Sequence, residues 1–317
     1  MNYPKVTIIT LNYNQNQYTI DCVNSVLKSD YSNFEIILVD NGSTLENFKD
    51  LEIRLPKDSR LIVTRYEENT GYVGGVNKGL SLASKTNTDY LLVMNNDTLI
   101  DYEAINALVR ASIEYNDKVI VSGKVYHYDE PNKLQDIGRD FVSEKNLTFK
   151  RLGLNELDSG QFNKVEQRDM LDDVFWLFSS KLYSEIGEYS SYFWFNGEQA
   201  DFALRAKNVG YKLLYTPNAK IWHKGSVSIG GRKRNPTQAY WSIQSGLILR
   251  YLHLKKPYFL KYYSKIFAEV ILTYVKLIFY GYNLNNRNYA FAKLKAFLYF
   301  NKWVLIKNQN IGKSPNL

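Results

Sequence analysis

The chain has 317 residues, of which 45% are hydrophobic and 15% aromatic, enough apolar material for one large core with an appendage. Its single cysteine, Cys22, excludes a framework of internal disulfide bonds and fits a reducing compartment. The net charge of +8 is unevenly divided, because residues 226–317 contain 15 Lys and Arg against one acidic residue, whereas residues 1–225 contain 25 against 31. We therefore predict an acidic body and a basic C-terminal region with an anionic partner.

Four apolar runs in the first hundred residues alternate with helical patterns, which predicts a parallel sheet with right-handed crossovers. The runs cover residues 6–11, 34–39, 61–64 and 90–94, and helical spacing covers residues 18–27 and 76–83. The second helix opens from a glycine-rich loop at residues 67–79. Three of the runs end in clusters of Asn and Asp, at residues 12–14, 40–41 and 95–97. Because ligands collect beyond the carboxyl ends of such strands, these clusters predict one shared site.

The middle of the chain continues the α/β pattern with one interruption. We predict a helix at residues 101–115, a strand at 119–126, a loosely patterned polar stretch at 129–168, an apolar run at 174–178, a helix at 201–208 and closing strands at 213–216 and 219–223. Asp201 and Arg205 stand four residues apart on the last helix, a spacing at which opposite charges pair.

The composition changes after Gly225. A basic connector at residues 230–236 leads to helical patterns at 240–250 and 258–280 that are rich in Tyr, Phe, Leu and Lys. No run of about eighteen uncharged apolar residues occurs, so we predict no membrane-spanning helix, and the N-terminus has no signal-peptide pattern. Aromatic residues and lysines on such helices suit the interface of an anionic membrane. A helical subdomain packed on the body or on a second subunit would have the same pattern.

Asp97 follows the fourth apolar run, beside Asn95 and Asn96. One carboxylate with neutral amide oxygens is a sparse oxygen set, which suits Mg²⁺ or Mn²⁺ when diphosphate oxygens complete the coordination shell. The alternative is an ordinary strand-ending turn, because Asn and Asp favour turns. The polar ends of the neighbouring strands favour the site.

Motifs in unbroken order resemble the family 2 glycosyltransferases of the GT-A fold, and the bacterial rhamnosyltransferase-like branch is the most similar. The motifs lie at residues 6–14, 39–43, 68–79, 95–98, 124–133 and 198–223. The resemblance implies an α/β, Rossmann-like, mixed and mainly parallel sheet followed by a helical C-terminal region. It divides the chain into a GT-A domain at 1–225, with a nucleotide-sugar half at about 1–125 and an acceptor half at about 126–225, and a basic aromatic helical region at 226–317.

The resemblance also implies a nucleotide-sugar site at the polar strand ends. This site comprises Thr10, Asn12, Asp40, Asn69, Gly71, Gly74, Asn77, Asn95, Asn96 and Asp97. Asp40 matches the aspartate that holds the base, and a carboxylate there accepts a hydrogen bond from the imide N–H of uracil or thymine. Gly71 and Gly74 allow the backbone to approach the ligand closely, or serve a tight turn. Asn77 would bridge the loop to the ligand.

A metal ion and a catalytic base follow from the same resemblance. Asp97 matches the second acid of the family's Asp-x-Asp metal signature, with Asn95 in the first position. His223 matches a late histidine that completes the metal shell, although a lone histidine can also be structural. An inverting transfer needs a base for the proton of the acceptor hydroxyl. Glu198 is the candidate base, and Asp201 either orients it or pairs with an arginine.

Gln199 departs from the family's pattern, because members commonly carry a second acid at this position. Where that acid is the base, this chain lacks it. Glu198 also has a structural interpretation, since an acidic residue at a helix N-terminus complements the helix dipole.

The resemblance implies an inverting, metal-dependent glycosyltransferase that uses Mn²⁺ or Mg²⁺. We expect a dTDP- or UDP-activated donor, with a lean to dTDP-rhamnose, and a lipid-linked glycan acceptor in bacterial cell-surface polysaccharide synthesis. We expect a cytoplasmic protein that binds peripherally to the inner face of the plasma membrane. A homodimer is possible, and we expect no nucleic acid as a partner. Two alternatives are a catalytically silent sugar-nucleotide-binding partner, which Gln199 permits, and a nucleotidyltransferase. The latter would need a glycine-rich loop with a Lys or Arg after the first strand.

Overall fold

A ten-stranded sheet forms the centre of the computed structural model, which describes residues 3–225, 235–280 and 284–306. The sheet strands are β1 (Val6–Asn12), β2 (Phe34–Asn41), β3 (Leu61–Tyr66), β4 (Tyr90–Met94), β5 (Thr98–Ile100), β6 (Val119–His127), β7 (Leu134–Asp136), β10 (Glu166–Arg168), β11 (Phe175–Ser179) and β12 (Lys212–His223). A separate hairpin consists of β8 (Arg139–Ser143) and β9 (Thr148–Arg151). Most of the predicted basic connector at 230–236 lies outside the described residues.

Helices cover both faces of the sheet. Those before residue 210 are α1 (Asn16–Leu27), α2 (Leu45–Arg54), α3 (Gly71–Ala83), α4 (Ala104–Glu114), α5 (Ser180–Ile186) and α6 (Glu198–Asn208). Those of the C-terminal region are α7 (Pro236–His253), α8 (Lys256–Tyr280) and α9 (Leu284–Ile306). Sequence patterns predicted α7 and α8 but neither α2 nor α9.

Four parallel strands in the order β4-β1-β2-β3 make up one half of the sheet. Asn12 at the end of β1 is in register with Asp40 on β2. Strands β1, β2 and β4 are almost entirely buried, because helices cover both faces, and this explains their uninterrupted apolar sequences. The predicted mixed, mainly parallel α/β fold with a C-terminal helical region is confirmed.

The other half of the sheet is mixed. β11 lies between β4 and β6 and is antiparallel to both, and β12 is parallel to β6. After β4 the chain turns into β5, which pairs with β12 so that Thr98 lies opposite His223. Strand pairing therefore brings the end of β12 next to Asp97, far away in sequence.

Alternate side chains along the strands enter two cores, one on each face of the sheet. Ile8 and Leu92 pack with α1, α2 and α4, whereas Ile9 and Val93 pack with α3 and α6. The second core extends without interruption into the C-terminal helices, where Trp241 of α7 stacks on Trp194 with ring centroids 6.2 Å apart.

Helix α7 begins where local sequence favours it. The Asn235 side chain accepts a hydrogen bond from the Thr237 amide at 2.9 Å, and Pro236 occupies the first turn, where its missing N–H costs nothing. Across the three described ranges, none of the helices is at once long and apolar enough to cross a membrane. The predicted domain boundary at residue 225 stays a prediction.

Candidate active site

The polar ends of β1, β2 and β4 are joined by one chain of hydrogen bonds. Asn12 donates to the Asp40 carboxylate at 2.8 Å and accepts from the Thr19 hydroxyl at 2.8 Å. Asn96 donates to the same hydroxyl at 2.8 Å. Three of the residues predicted to bind nucleotide sugar, Asn12, Asp40 and Asn96, therefore lie at one edge of the sheet.

Asp40 is more deeply enclosed than a base-binding residue needs to be. Asp40 and Asn12 are 0% exposed, and Thr10 on the same edge is 2% exposed. The Ser43 amide donates to Asp40 at 3.2 Å, and the Arg65 guanidinium lies 3.9 Å from the same carboxylate. A nucleobase would reach Asp40 only after the Asn12 or Arg65 side chain moved.

The glycines in the first turn of α3 serve close packing within the protein. Gly71 has a φ of +74°, and a Cβ there would lie 2.6 Å from the Trp194 ring. A Cβ on Gly74 would lie 2.5 Å from the Thr70 hydroxyl. Asn69 accepts a hydrogen bond from the Gly71 amide at 2.8 Å. These contacts show that both glycines serve close packing and a tight turn, and the close approach of Gly71 and Gly74 to a ligand stays a prediction.

Asn77 of α3 is hydrogen-bonded to the backbone of Tyr189. Its amide group donates to the Tyr189 carbonyl at 2.8 Å, and its oxygen accepts from the Tyr189 amide at 3.0 Å. Both ends of this buried side chain are therefore used by one backbone segment. The predicted contact of Asn77 with the ligand stays a prediction.

Asp97 and His223 approach each other closely at the end of the sheet. Asp97 Oδ1 lies 3.2 Å from His223 Nε2. The other ring nitrogen, Nδ1, lies 2.6 Å from the Gln135 amide oxygen. A neutral ring with its proton on Nδ1 would donate to that oxygen and leave a lone pair on Nε2 that faces the carboxylate. Two acceptors this close require a proton or a cation between them.

A cleft of about 490 Å³ opens beside this pair. It is lined by the end of β4, the start of α6 and the segment before β11, with Tyr72, Asn95, Asn96, Asp97, Asp173, Glu198, Gln199 and His223 among the lining residues. The predicted metal residues and Glu198 therefore share one cleft. Within the described ranges, no three His, Cys, Asp or Glu side chains come together as a complete metal site.

Glu198 and Asp173 are two buried carboxyl groups that line the cleft. Glu198 is 3% exposed and Asp173 is 6% exposed, and one oxygen of each has no hydrogen-bond partner. Burial raises the pKa of Glu198 well above its usual value, and the charge of Asp173 raises it further. Burial, helped by the charge of Asp172, raises the pKa of Asp173 to about 7. Burial of the resting site therefore favours the protonated form of Glu198.

Asp201 does not line this cleft. One of its oxygens accepts from Arg205 at 2.8 Å, and the other is 2.8 Å from His253 Nε2 on α7. Since both oxygens are engaged, Asp201 is unsuited to take a proton from a substrate. Of the two roles predicted for it, the pairing with Arg205 is the one observed.

Two arginines lie at the rim formed by the β8–β9 hairpin. Arg139 and Arg151 face each other across the two strands, and both pair with Asp172. Arg151 Nε also lies 3.1 Å from Asp136. Burial and the charge of Asp172 raise the pKa of Asp136 to about 6, against the opposing effect of the two arginines.

The lining residues that had not been predicted include Gln135, Arg151, Asp172 and Asp173. Asp172 and Asp173 directly precede the apolar run of β11. Polar residues at the end of a predicted strand are the signal by which this pair could have been identified. Gln135 and Arg151 fall in the stretch at 129–168 whose pattern is too loose to indicate strands.

The architecture is that of the GT-A glycosyltransferases. The crystal structure of GalNAc-T7 with UDP, GalNAc and Mn²⁺ superposes with a TM-score of 0.58 at 17% sequence identity, over 70% of this chain and 44% of that one. At this level of identity, the similarity concerns the fold.

Sequence comparison identifies the family. Residues 7–182 match the family profile described as Glycosyl transferase family 2, and the chain belongs to this family. It is 27% identical over 184 residues to glycosyltransferase GlyG of Streptococcus pneumoniae serotype 4, and the aligned region covers 57% of this chain and 58% of GlyG. It is 22% identical over 227 residues to the poly-beta-1,6-N-acetyl-D-glucosamine synthase of Staphylococcus aureus strain COL, and the aligned region covers 71% of this chain and 51% of the synthase. The chain thus spans about half the length of these relatives.

Proposed function

We propose that this protein is an inverting, metal-dependent glycosyltransferase that moves a sugar from a nucleotide diphosphate to a glycan acceptor. The observation that carries the proposal is the single cleft that holds the Asp97–His223 pair together with Glu198 and Asp173. Membership of family 2 supports the reaction class. The proposed reaction requires two things of the cleft: a site for the cation that binds the diphosphate, and a base that accepts the proton of the acceptor hydroxyl.

Asp97 Oδ1 and His223 Nε2 would hold the Mn²⁺ or Mg²⁺ ion. Neighbouring ligands of an octahedral ion stand about 3 Å apart, and the 3.2 Å between these two atoms fits that spacing. Because the described residues offer no group of three His, Cys, Asp or Glu side chains for a metal ion, diphosphate oxygens of the donor would complete the shell, as the sparse set of one carboxylate and amides predicts. When bound, the ion supplies the positive charge that stabilises the departing nucleoside diphosphate.

Glu198 is the proposed base. As the acceptor oxygen attacks the anomeric carbon, the bond from that carbon to the diphosphate breaks with its electron pair, and the acceptor proton passes to the Glu198 carboxylate. Glu198 must first lose the proton that burial holds on it. A cation held by Asp97 and His223 would favour the ionised carboxylate, because opposite charges lower the pKa of an acid.

The nucleotide would lie over the ends of β1 and β2, with its base directed towards Asp40. A carboxylate there selects bases with an imide N–H, so we propose a dTDP- or UDP-activated donor, with dTDP-rhamnose as our first choice within that class. We also propose a lipid-linked glycan acceptor. A role in polysaccharide synthesis is supported by the similarity to a synthase of poly-beta-1,6-N-acetyl-D-glucosamine.

The C-terminal helices would bring the enzyme to the inner face of the plasma membrane. On α8, Leu260, Phe267 and Ile271 are exposed although they are apolar. The one acidic residue after residue 225, Glu269, is paired with Lys293 at 2.6 Å. Exposed apolar side chains among lysines suit an anionic bilayer surface. Phosphatidylserine vesicles should therefore sediment the protein, whereas phosphatidylcholine vesicles should not, and Phe267→Glu should weaken the binding.

The decisive experiment measures nucleotide release and glycan extension with dTDP-rhamnose, dTDP-glucose, UDP-glucose and UDP-N-acetylglucosamine, in Mn²⁺, Mg²⁺ or EDTA. We expect turnover with one donor class in metal and none in EDTA. Asp97→Ala should abolish turnover, while Glu114→Ala, which removes an exposed acid from the end of α4, should not. Metal-independent turnover, or normal turnover in Asp97→Ala, would exclude the metal role. Donor binding without any turnover would favour the catalytically silent alternative.

A further inference from the structure

Helix α7 touches three parts of the wall that surrounds Glu198. The contacts are made by Ser245, Arg250 and His253. None of these residues follows from the family motifs, all of which end by residue 223. The contacts connect the C-terminal region to the cleft.

The strongest of the three contacts is made by His253. Its Nε2 lies 2.8 Å from Asp201 Oδ1, and the Asp201 side chain is only 3% exposed. Arg205 supplies the second donor to this carboxylate and also binds the backbone carbonyls of residues 186 and 188. Asp201 stands three residues after Glu198, in the first turn of α6. Fixing Asp201 therefore fixes the turn that carries the proposed base.

Ser245 fixes the other side of Glu198. Its hydroxyl donates to the Phe195 carbonyl at 3.1 Å, and Phe195 lines the cleft. Gly197 has a φ of +98°, and a Cβ there would lie 3.3 Å from the Cβ of Ser245. The backbone just before Glu198 therefore packs closely against α7.

Arg250 ties α7 to the hairpin that carries Arg151. The Arg250 guanidinium donates to the carbonyls of Asn146 and Leu147, in the turn between β8 and β9, at 3.1 and 3.0 Å. The guanidinium is largely buried among these acceptors, and burial lowers its pKa from its usual value. One helix therefore braces both the start of α6 and the opposite rim of the cleft.

We propose that His253 is a positioning residue for Glu198, acting through Asp201. This inference rests on the proposed function, because it assumes that Glu198 accepts the acceptor proton. A side chain that is displaced by about 1 Å from its reactive position can lose about a hundredfold in rate. Loss of the His253 hydrogen bond leaves one oxygen of a buried carboxylate without a donor, so the first turn of α6 will shift to find one.

The test compares two polar replacements of different reach. The amide nitrogen of Gln in His253→Gln can occupy the place of Nε2, whereas Asn in His253→Asn is too short to reach Asp201. Leu252→Ala is the matched control, since Leu252 is the exposed neighbour on the same helix. Steady-state kinetics give kcat and the donor KM, and thermal shift with the nucleotide sugar gives donor binding independently of turnover.

We expect His253→Asn to lower kcat about ten- to a hundredfold with a donor KM within about twofold of the unsubstituted protein. His253→Gln should recover most of the rate, and Leu252→Ala should retain it. Equal kcat in His253→Asn and the unsubstituted protein, or equal loss in both His253 variants, would overturn the positioning role. Absence of turnover in the unsubstituted protein with every donor would instead overturn the proposed function.

Discussion

Replacing Gln135 with leucine should weaken the metal site without removing a ligand. Gln135 holds His223 by a contact of 2.6 Å at Nδ1, which keeps the lone pair of Nε2 directed at Asp97. In Gln135→Leu the ring can carry its proton on either nitrogen and can rotate. Loss of such an outer hydrogen bond typically costs about ten- to a hundredfold in metal affinity, or roughly 1.4–2.7 kcal/mol.

The assay is turnover as a function of Mn²⁺ concentration. We expect the half-saturating Mn²⁺ concentration to rise by that factor, and saturating Mn²⁺ to restore kcat, because both ligands remain. Gln167→Leu is the control, since Gln167 is exposed on the edge strand β10. An unchanged Mn²⁺ dependence in Gln135→Leu would refute the assignment of His223 as a ligand oriented by Gln135.

Three further predictions concern the buried polar groups. Asn77→Ala should destabilise the fold by about 2–4 kcal/mol in urea unfolding, because it leaves the amide and carbonyl of Tyr189 without partners. Asn87→Ala, at an exposed position, should leave the stability unchanged. A loss of donor affinity in Asn77→Ala without destabilisation would contradict this and support the predicted nucleotide role of Asn77. Glu198→Gln should keep donor binding in thermal shift and lose turnover by orders of magnitude, whereas a parallel loss of both would indicate a structural glutamate. Asp173 keeps its proton up to a pKa of about 7 in the folded state, but an unfolded aspartate loses it near 3.9. Its contribution to stability is therefore complete below about pH 4 and falls as the pH rises through 7, so Asp173→Asn should be relatively more stable at pH 8 than at pH 5; identical pH dependence would contradict the raised pKa.

Local sequence patterns were sufficient to predict the strands β1, β2 and β4, whose ends carry the site. The runs that became β1, β2 and β4 are apolar throughout because both sheet faces are covered, and Asn or Asp follows each of them. Strands β8 and β9 escaped detection because each is short and largely polar, so neither shows the alternation that identifies a half-buried strand.

Residue type alone did not decide the role of each polar residue. Asn77 and Asp201 have the side chains that a ligand site uses, and both lie in motifs of the family. In the folded chain their hydrogen-bonding groups are taken by the Tyr189 backbone and by Arg205 and His253. A motif gives the position of a residue in the sequence but not the partners that reach it.

The sequence by itself determined the α/β class, the sheet edge at which polar residues gather, and Asp97 as a residue of that edge. Each depends on chemistry within a few residues of the chain, such as burial of an apolar strand and the polar turn that ends it. Only the tertiary structure decided which distant groups meet there. His223 reaches Asp97 because β12 pairs with β5, Gln135 reaches His223 across the cleft, and α7 closes over Asp201. Such contacts depend on the register of strands and the docking of helices over long stretches of chain, which no local pattern specifies.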